Sequence, residues 1–160
     1  MINIIKKHWL GFLFSIFFAE AIGMISSLLA GDIKGKYNAY IKPILSPPDW
    51  LFGIVWPILY ALMGFSIYLF YLHATNERMR KKGLLLYSSQ LLLNFFWSIV
   101  FFRFDATSMA LLIIILLVAN VAYLLLLFKN QSKISFYILI PYLLWLLFAT
   151  YLNWGIVMSN

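Results

Sequence analysis

SPPDWLFGIVWPILYALMGFSIYLFYLH, residues 46–73, decides the fold. Two prolines and Asp49 halt the chain, and no charged side chain follows from Trp50 through Leu72. That run is long enough to cross about 30 Å of hydrocarbon as a helix rising 1.5 Å per residue. Helix is required there, because backbone N–H and C=O groups in lipid must bond within their own segment. Four similar runs flank it, roughly Trp9 to Ala30, Gly83 to Phe102, Ala106 to Phe128 and Ile134 to Val157. None alternates as a membrane β-strand would. The expectation is an all-α membrane protein: one domain over residues 1–160, a bundle of five transmembrane helices.

Composition agrees. Of 160 residues, 64% are hydrophobic and 11% charged, with a mean hydropathy of +0.93. A soluble domain carries about 25% charged residues and could not hide so much apolar surface. The lipid bilayer is the first partner implied. Cysteine is absent, which excludes disulfides, thiolate metal sites and a cysteine nucleophile. The net charge of +7 lies in short clusters between apolar runs, not on a solvated basic face, so no nucleic-acid partner is expected.

Those clusters set orientation. Lys6, Lys7, Arg78, Arg80, Lys81, Lys82, Lys129 and Lys133 fall on one side, eight against the four of Lys34, Lys36, Lys42 and Arg103. The positive-inside rule places the N-terminus in the cytoplasm of a multi-pass cell-membrane protein, with the long first loop and the tail Ser159–Asn160 outside. The first run follows Lys6, Lys7 and His8 as a signal peptide would. It is too long for an ordinary signal core and Glu20 interrupts it, so it is expected to stay as a span.

The links differ in length. Arg103–Asp105 and Lys129–Lys133 read as tight turns, and Thr75–Lys82 as a short basic link. Gly31–Asp49, between the first two spans, is long and holds Gly35, Pro43, Pro47 and Pro48. A long loop in so small a protein suits a lid or binding element.

Within the spans, the first carries small residues at every fourth position: Gly11, Ser15, Ala19, Gly23 and Ser27. That ridge predicts a close helix–helix contact. Glu20 must face protein or water at this depth. It reads as a protonated carboxyl bonded to a neighbouring helix, with a proton or ligand contact as the alternative. Gly53, Trp56, Tyr60 and Gly64 share one face of the second span, which Pro57 should kink by removing the bond to the Gly53 carbonyl. Gln90, Asn94, Trp97 and Phe101 share a face of the third. Pro141, Trp145, Ala149 and Asn153 lie on a slowly drifting face of the fifth, and the fourth offers Asn120 and Tyr123. Belt tryptophans belong at the headgroups. Mid-depth Trp beside Asn, Gln and Tyr describes either an aromatic-walled cavity for a flat apolar ligand or a packed aromatic core, and pattern alone leaves the two even.

The run Pro47-Pro48-Asp49-Trp50-Leu51-Phe52-Gly53-Ile54-Val55-Trp56, with Gln90, Asn94, Phe96 and Trp97, then Pro141, Tyr142, Trp145, Phe148, Ala149, Thr150 and Asn153, resembles the TspO/MBR family of tryptophan-rich sensory proteins. The resemblance spans nearly the whole chain. It implies a five-helix bundle, commonly a homodimer, whose first loop covers a pocket. It also implies binding of porphyrin or haem, and in some members of sterols or isoquinoline carboxamides, with no cofactor required. By position the ligand contacts would be Trp56, Tyr60, Asn94, Trp97, Trp145 and Ala149, under Tyr37 and Pro47 of the loop. Some family members are reported to degrade porphyrin in light, which would give Trp56 and Trp145 a redox role. Three departures stand out: Leu45 and Lys36 replace loop aromatics common in the family, and no basic residue follows Tyr151, so a sterol motif there is missing. Lys82, Tyr87 and Leu91 fit only the reversed, weaker sterol pattern.

No carboxylate pair, Ser-His-Asp set or phosphate loop is apparent, and His8 and His73 fall at the membrane end opposite the loop. No metal site is therefore expected, and no acid–base enzyme. Four functions remain open from the sequence: a porphyrin receptor or sensor, a transporter of tetrapyrroles or other apolar metabolites, a light-dependent porphyrin-degrading protein, and a structural subunit.

Overall fold

A computed structural model describes residues 2–160, with side chains from Lys7 onward. The Lys6 side chain, counted above for orientation, lies outside the described residues. The helices are α1 (Ile2–Ala30), α2 (Ile33–Ala39), α3 (Trp50–His73), α4 (Glu77–Ser98), α5 (Thr107–Gln131) and α6 (Lys133–Ser159). All but α2 are long and apolar enough to span a membrane. The chain is thus a multi-pass bundle of five membrane helices.

The boundaries correct the sequence reading in three places. The long loop is not all loop, because Asp32 accepts a hydrogen bond from the Gly35 amide at 2.8 Å and starts α2. The basic link is mostly helix. Asn76 caps the Met79 amide at 2.9 Å, so Arg78 to Lys82 form the first turns of α4. At the other end α4 widens into a π-helical turn, Ile99–Arg103, where the amide of Phe104 reaches the carbonyl of Ile99 at 3.2 Å. Ser132 alone separates α5 from α6, and its hydroxyl accepts from the Ser135 amide.

Packing runs α1–α3–α6–α5–α4 and closes where α4 meets α1. The α1 ridge packs as expected over four of its five positions. The Tyr68 ring lies over Gly11 and the Tyr60 ring over Gly23, and Ala19 is fully buried. Ser15 donates to the Gly64 carbonyl at 2.7 Å. The ridge fails at Ser27, which is exposed, while Ser26 is buried and donates to the Phe95 carbonyl at 2.8 Å. Four residues advance a helix about 40° past a full turn, so a row of fours drifts off its partner.

The half of the bundle away from α2 is solid. Phe70 and Phe128 stack at 4.6 Å between centroids, and Gly83 leaves room for the Phe70 ring. The half beneath α2 is not solid, and Gly53 marks the change. A Cβ at Gly53 would meet nothing within 4 Å, whereas one at Gly64 would stand 2.6 Å from the Ile16 Cα and the Ser15 carbonyl oxygen. Gly64→Ala should therefore push α1 and α3 apart at a cost of about 1–3 kcal/mol, lowering the thermal midpoint in detergent. Gly53→Ala should not. Equal midpoints for the two variants would contradict this packing.

Candidate functional site

The open half encloses a cavity of about 510 Å³. α1 contributes Glu20, Gly23, Met24, Ser27 and Leu28. α3 contributes Phe52, Gly53, Trp56, Pro57 and Tyr60. The end of α4 gives Trp97, Ser98, Phe101 and Phe102, and α6 gives Trp145, Ala149, Leu152, Asn153 and Ile156. Ile33, Lys34, Tyr37 and Asp49 close the mouth.

The rings meet one another as well as the void. Trp56 lies 5.8 Å from Tyr60 and 6.4 Å from Trp97 between centroids. Phe52 stands edge-on to Trp145 at 6.0 Å and to Tyr37 at 4.9 Å. Trp97 donates its Nε1–H to Asn153 at 3.2 Å, and Asn153 donates to the Thr107 carbonyl at 2.9 Å, which ties the wall to the start of α5. The Nε1–H of Trp145 is buried with no partner.

The cover is pinned along its length. Tyr37 donates to the Pro47 carbonyl at 2.8 Å and folds the segment on itself. Asp49 accepts from Asn38 at 2.9 Å and pairs with Lys34 at 3.6 Å. Asp105, held at a positive φ in the turn before α5, accepts from Lys36 at 2.9 Å and from the Tyr40 hydroxyl. Farther along, Pro43 rests on Gly155, and Asn160 bonds both the amide and the carbonyl of Ile41 at 3.1 Å. Donors act on the carboxylates as expected. The Tyr40 hydroxyl, and then Lys36, hold Asp105 below the usual carboxylate range, and Asn38, with Lys34, does the same for Asp49. Burial raises the Tyr37 hydroxyl, and burial followed by the Asp105 charge raises that of Tyr40.

Residues 15–158 match the model of the TspO/MBR family. The chain belongs to the TspO/MBR family. Among its relatives, a tryptophan-rich protein TspO of Archaeoglobus fulgidus is 37% identical, over 91% of this chain and 94% of that protein. A tryptophan-rich protein TspO of Chlorobaculum tepidum is 36% identical over 78% of each. The human translocator protein is 33% identical over 84% of this chain and 80% of its own.

In this TspO/MBR chain the structure brings six of the eight residues singled out from sequence to the cavity: Tyr37, Trp56, Tyr60, Trp97, Trp145 and Ala149. Two are not on the wall. Pro47 serves through its carbonyl, as the acceptor for Tyr37. Asn94, only 1% exposed, stands behind Tyr60. Its oxygen accepts from the Tyr60 hydroxyl at 3.3 Å, and its amide donates to Tyr142 at 2.9 Å, which donates to Gln90 at 2.9 Å. With both ends of its amide engaged, Asn94 supports the wall.

Other readings shift too. Pro141 and Tyr123 face outward, and Lys82 caps the Tyr123 ring at 4.8 Å. Among the described residues Glu20 has no hydrogen bond or ion pair to a neighbouring helix; it lines the cavity. Lys34 and Asp49 at the mouth were not anticipated, because the sequence shows no sign that α2 turns them inward. Among the described residues no three His, Cys, Asp or Glu side chains could hold a metal, and no histidine lines the cavity.

The cover should respond to acid. A carboxyl held low in the folded state stabilises it above the ordinary value of about 4 and loses that contribution as pH falls through its own lower value. Protection of the amides of residues 31–49 against exchange, taken relative to the intrinsic rate at each pH, is expected to fall below about pH 4. Asp105→Asn should raise exchange already at neutral pH and remove its share of the acid step. Unchanged exchange in that variant would mean that Asp105 does not hold the cover.

Proposed function

We propose that this protein is a membrane receptor and sensor that holds a porphyrin-type ligand in the cavity. The observation that supports it is the convergence of Trp56, Trp97 and Trp145 from three helices on one void of about 510 Å³ beneath a tethered cover. The volume falls in the ordinary range for small-molecule sites, roughly 300–1,000 Å³. Indole faces suit a flat macrocycle, adding about 0.5–1.5 kcal/mol per stacked pair beyond about 25 cal/mol per Å² of buried area. The wall offers iron no imidazole, so the macrocycle plane, with or without its metal, is what is recognised, and haem binds as a ligand. Lys34 at the mouth is placed to meet a propionate. The positive charges put the N-terminus in the cytoplasm and the cover outside, and membership in this family suggests a homodimer.

Titrating the purified protein with protoporphyrin in the dark should quench Trp fluorescence saturably. Trp56→Phe with Trp145→Phe should weaken binding by up to about tenfold, since Phe keeps a ring but gives up part of the area and stacking of each indole. Unchanged affinity would remove the indoles from the site. On the same samples, light should bleach the porphyrin band only with the unmodified protein if the two indoles also act as electron donors.

Transport is a second reading, favoured by the flank of the cavity. Met24 and Leu28 line it yet are 64% and 73% exposed on α1, which leaves a path toward the acyl chains. The human relative is named a translocator protein. Porphyrin flux into reconstituted vesicles above that of empty liposomes is the outcome expected; flux equal to the empty control would leave the receptor alone.

A further inference from the structure

Glu20 stands on the cavity wall ten residues before the end of α1, about 15 Å along the helix from that end. It is half-buried, and its carboxyl has no hydrogen bond or ion pair among the described residues. The other titratable groups facing the cavity are Lys34, Tyr37, Asp49 and Tyr60. Lys34 and Asp49 pair with each other at the mouth, and the hydroxyls of Tyr37 and Tyr60 are bonded to Pro47 and Asn94. The polar side chains that α4 and α6 add to the cavity beside their rings and aliphatic groups, Ser98 and Asn153, are neutral. The interior therefore holds one acidic group, no cation, and a wall of aromatic faces.

A carboxylate among apolar groups is stabilised by a positive partner. The faces of Trp and Phe carry negative potential and attract an organic cation within about 6 Å. Trp56 and Trp97 lie 6.4 Å apart, and Phe101 lies 5.3 Å from Trp97. An acid beside such faces is the chemistry that recognises an onium ion. The exposed Met24 and Leu28 on the same flank open toward lipid, where hydrophobic cations concentrate.

We propose that the inner half of the cavity is a site for a lipophilic organic cation, an amine or quaternary onium, with Glu20 as its counter-ion and Trp56 and Trp97 as its aromatic wall. This shares the cavity with the tetrapyrrole reading but not its ligand. A porphyrin's propionates would be repelled by Glu20 and turned toward Lys34, whereas a cation is drawn inward.

Tetraphenylphosphonium and tetraphenylborate, near-equal in shape and opposite in charge, are the probes. Saturable Trp quenching is measured in nanodiscs, with empty nanodiscs subtracted. The unmodified protein should prefer the phosphonium, and Glu20→Gln should reduce the ratio of the two affinities about tenfold or more. No preference in the unmodified protein overturns the proposal, and so does an unchanged ratio in a folded Glu20→Gln. The first comparison needs no variant and decides the matter if the variant does not fold. Protoporphyrin is titrated into the same unmodified sample. Failure to bind it counts against the tetrapyrrole reading and leaves the charge comparison standing.

Discussion

The close approach of α1 to α3 is the constraint on which the rest depends. In hydrocarbon the solvent gives helices no reason to associate, so contact must come from dispersion and hydrogen bonds at short range. At Gly64 the backbones are close enough for Ser15 to bond the glycine carbonyl at 2.7 Å. Eleven residues earlier, on the same face of α3, Gly53 has no neighbour within 4 Å of where its Cβ would be. Pro57 lies between them, where it has no N–H to bond the Gly53 carbonyl. One seam is thus shut at one end and open at the other, and the cavity occupies the open end.

The opening is held by two different means. On the membrane side, a buried run of neutral groups, Tyr60, Asn94, Tyr142 and Gln90, ties α3, α4 and α6 together behind the wall. The hydroxyls of Tyr60 and Tyr142 and both ends of the Asn94 amide find partners there where water cannot supply one, while the Gln90 nitrogen is buried without one. On the aqueous side, charge does the work. Asp105 and Asp49 gather Lys36, Tyr40, Asn38 and Lys34, so the cover is fastened by bonds that solvent can compete for. The wall is held by buried bonds, the cover largely by bonds exposed to solvent.

The wall mixes aromatic rings with aliphatic and small side chains, and Glu20 is the acid on its inner part. Indole faces supply area and stacking to any flat apolar guest, and so discriminate poorly among them. The charged groups on the lining are few: Lys34 and Asp49 at the mouth and Glu20 inside. Leu45 and Lys36 give the cover no aromatic ring at their positions. Leu45 is exposed and Lys36 is committed to Asp105, so neither adds a ring to the site.

Much of this was legible in the sequence. Uninterrupted apolar length set the five spans, because lipid allows no unpaired backbone. The helical period placed Trp56 with Tyr60, Trp97 with Phe101, and Trp145 with Ala149 on inward faces. Periodicity gives direction around a helix but not depth behind a neighbour. Asn94 shares a face with Trp97, yet it stands behind Tyr60 and bonds its hydroxyl. The rows of fours at Ser27 and Pro141 strayed for a related reason, since each step adds about 40°. Whether the indoles fill space or surround it was the question the pattern left even. The tertiary structure decided it, because a void is a property of the distance between helices, set here by one glycine that admits a backbone and another that meets nothing.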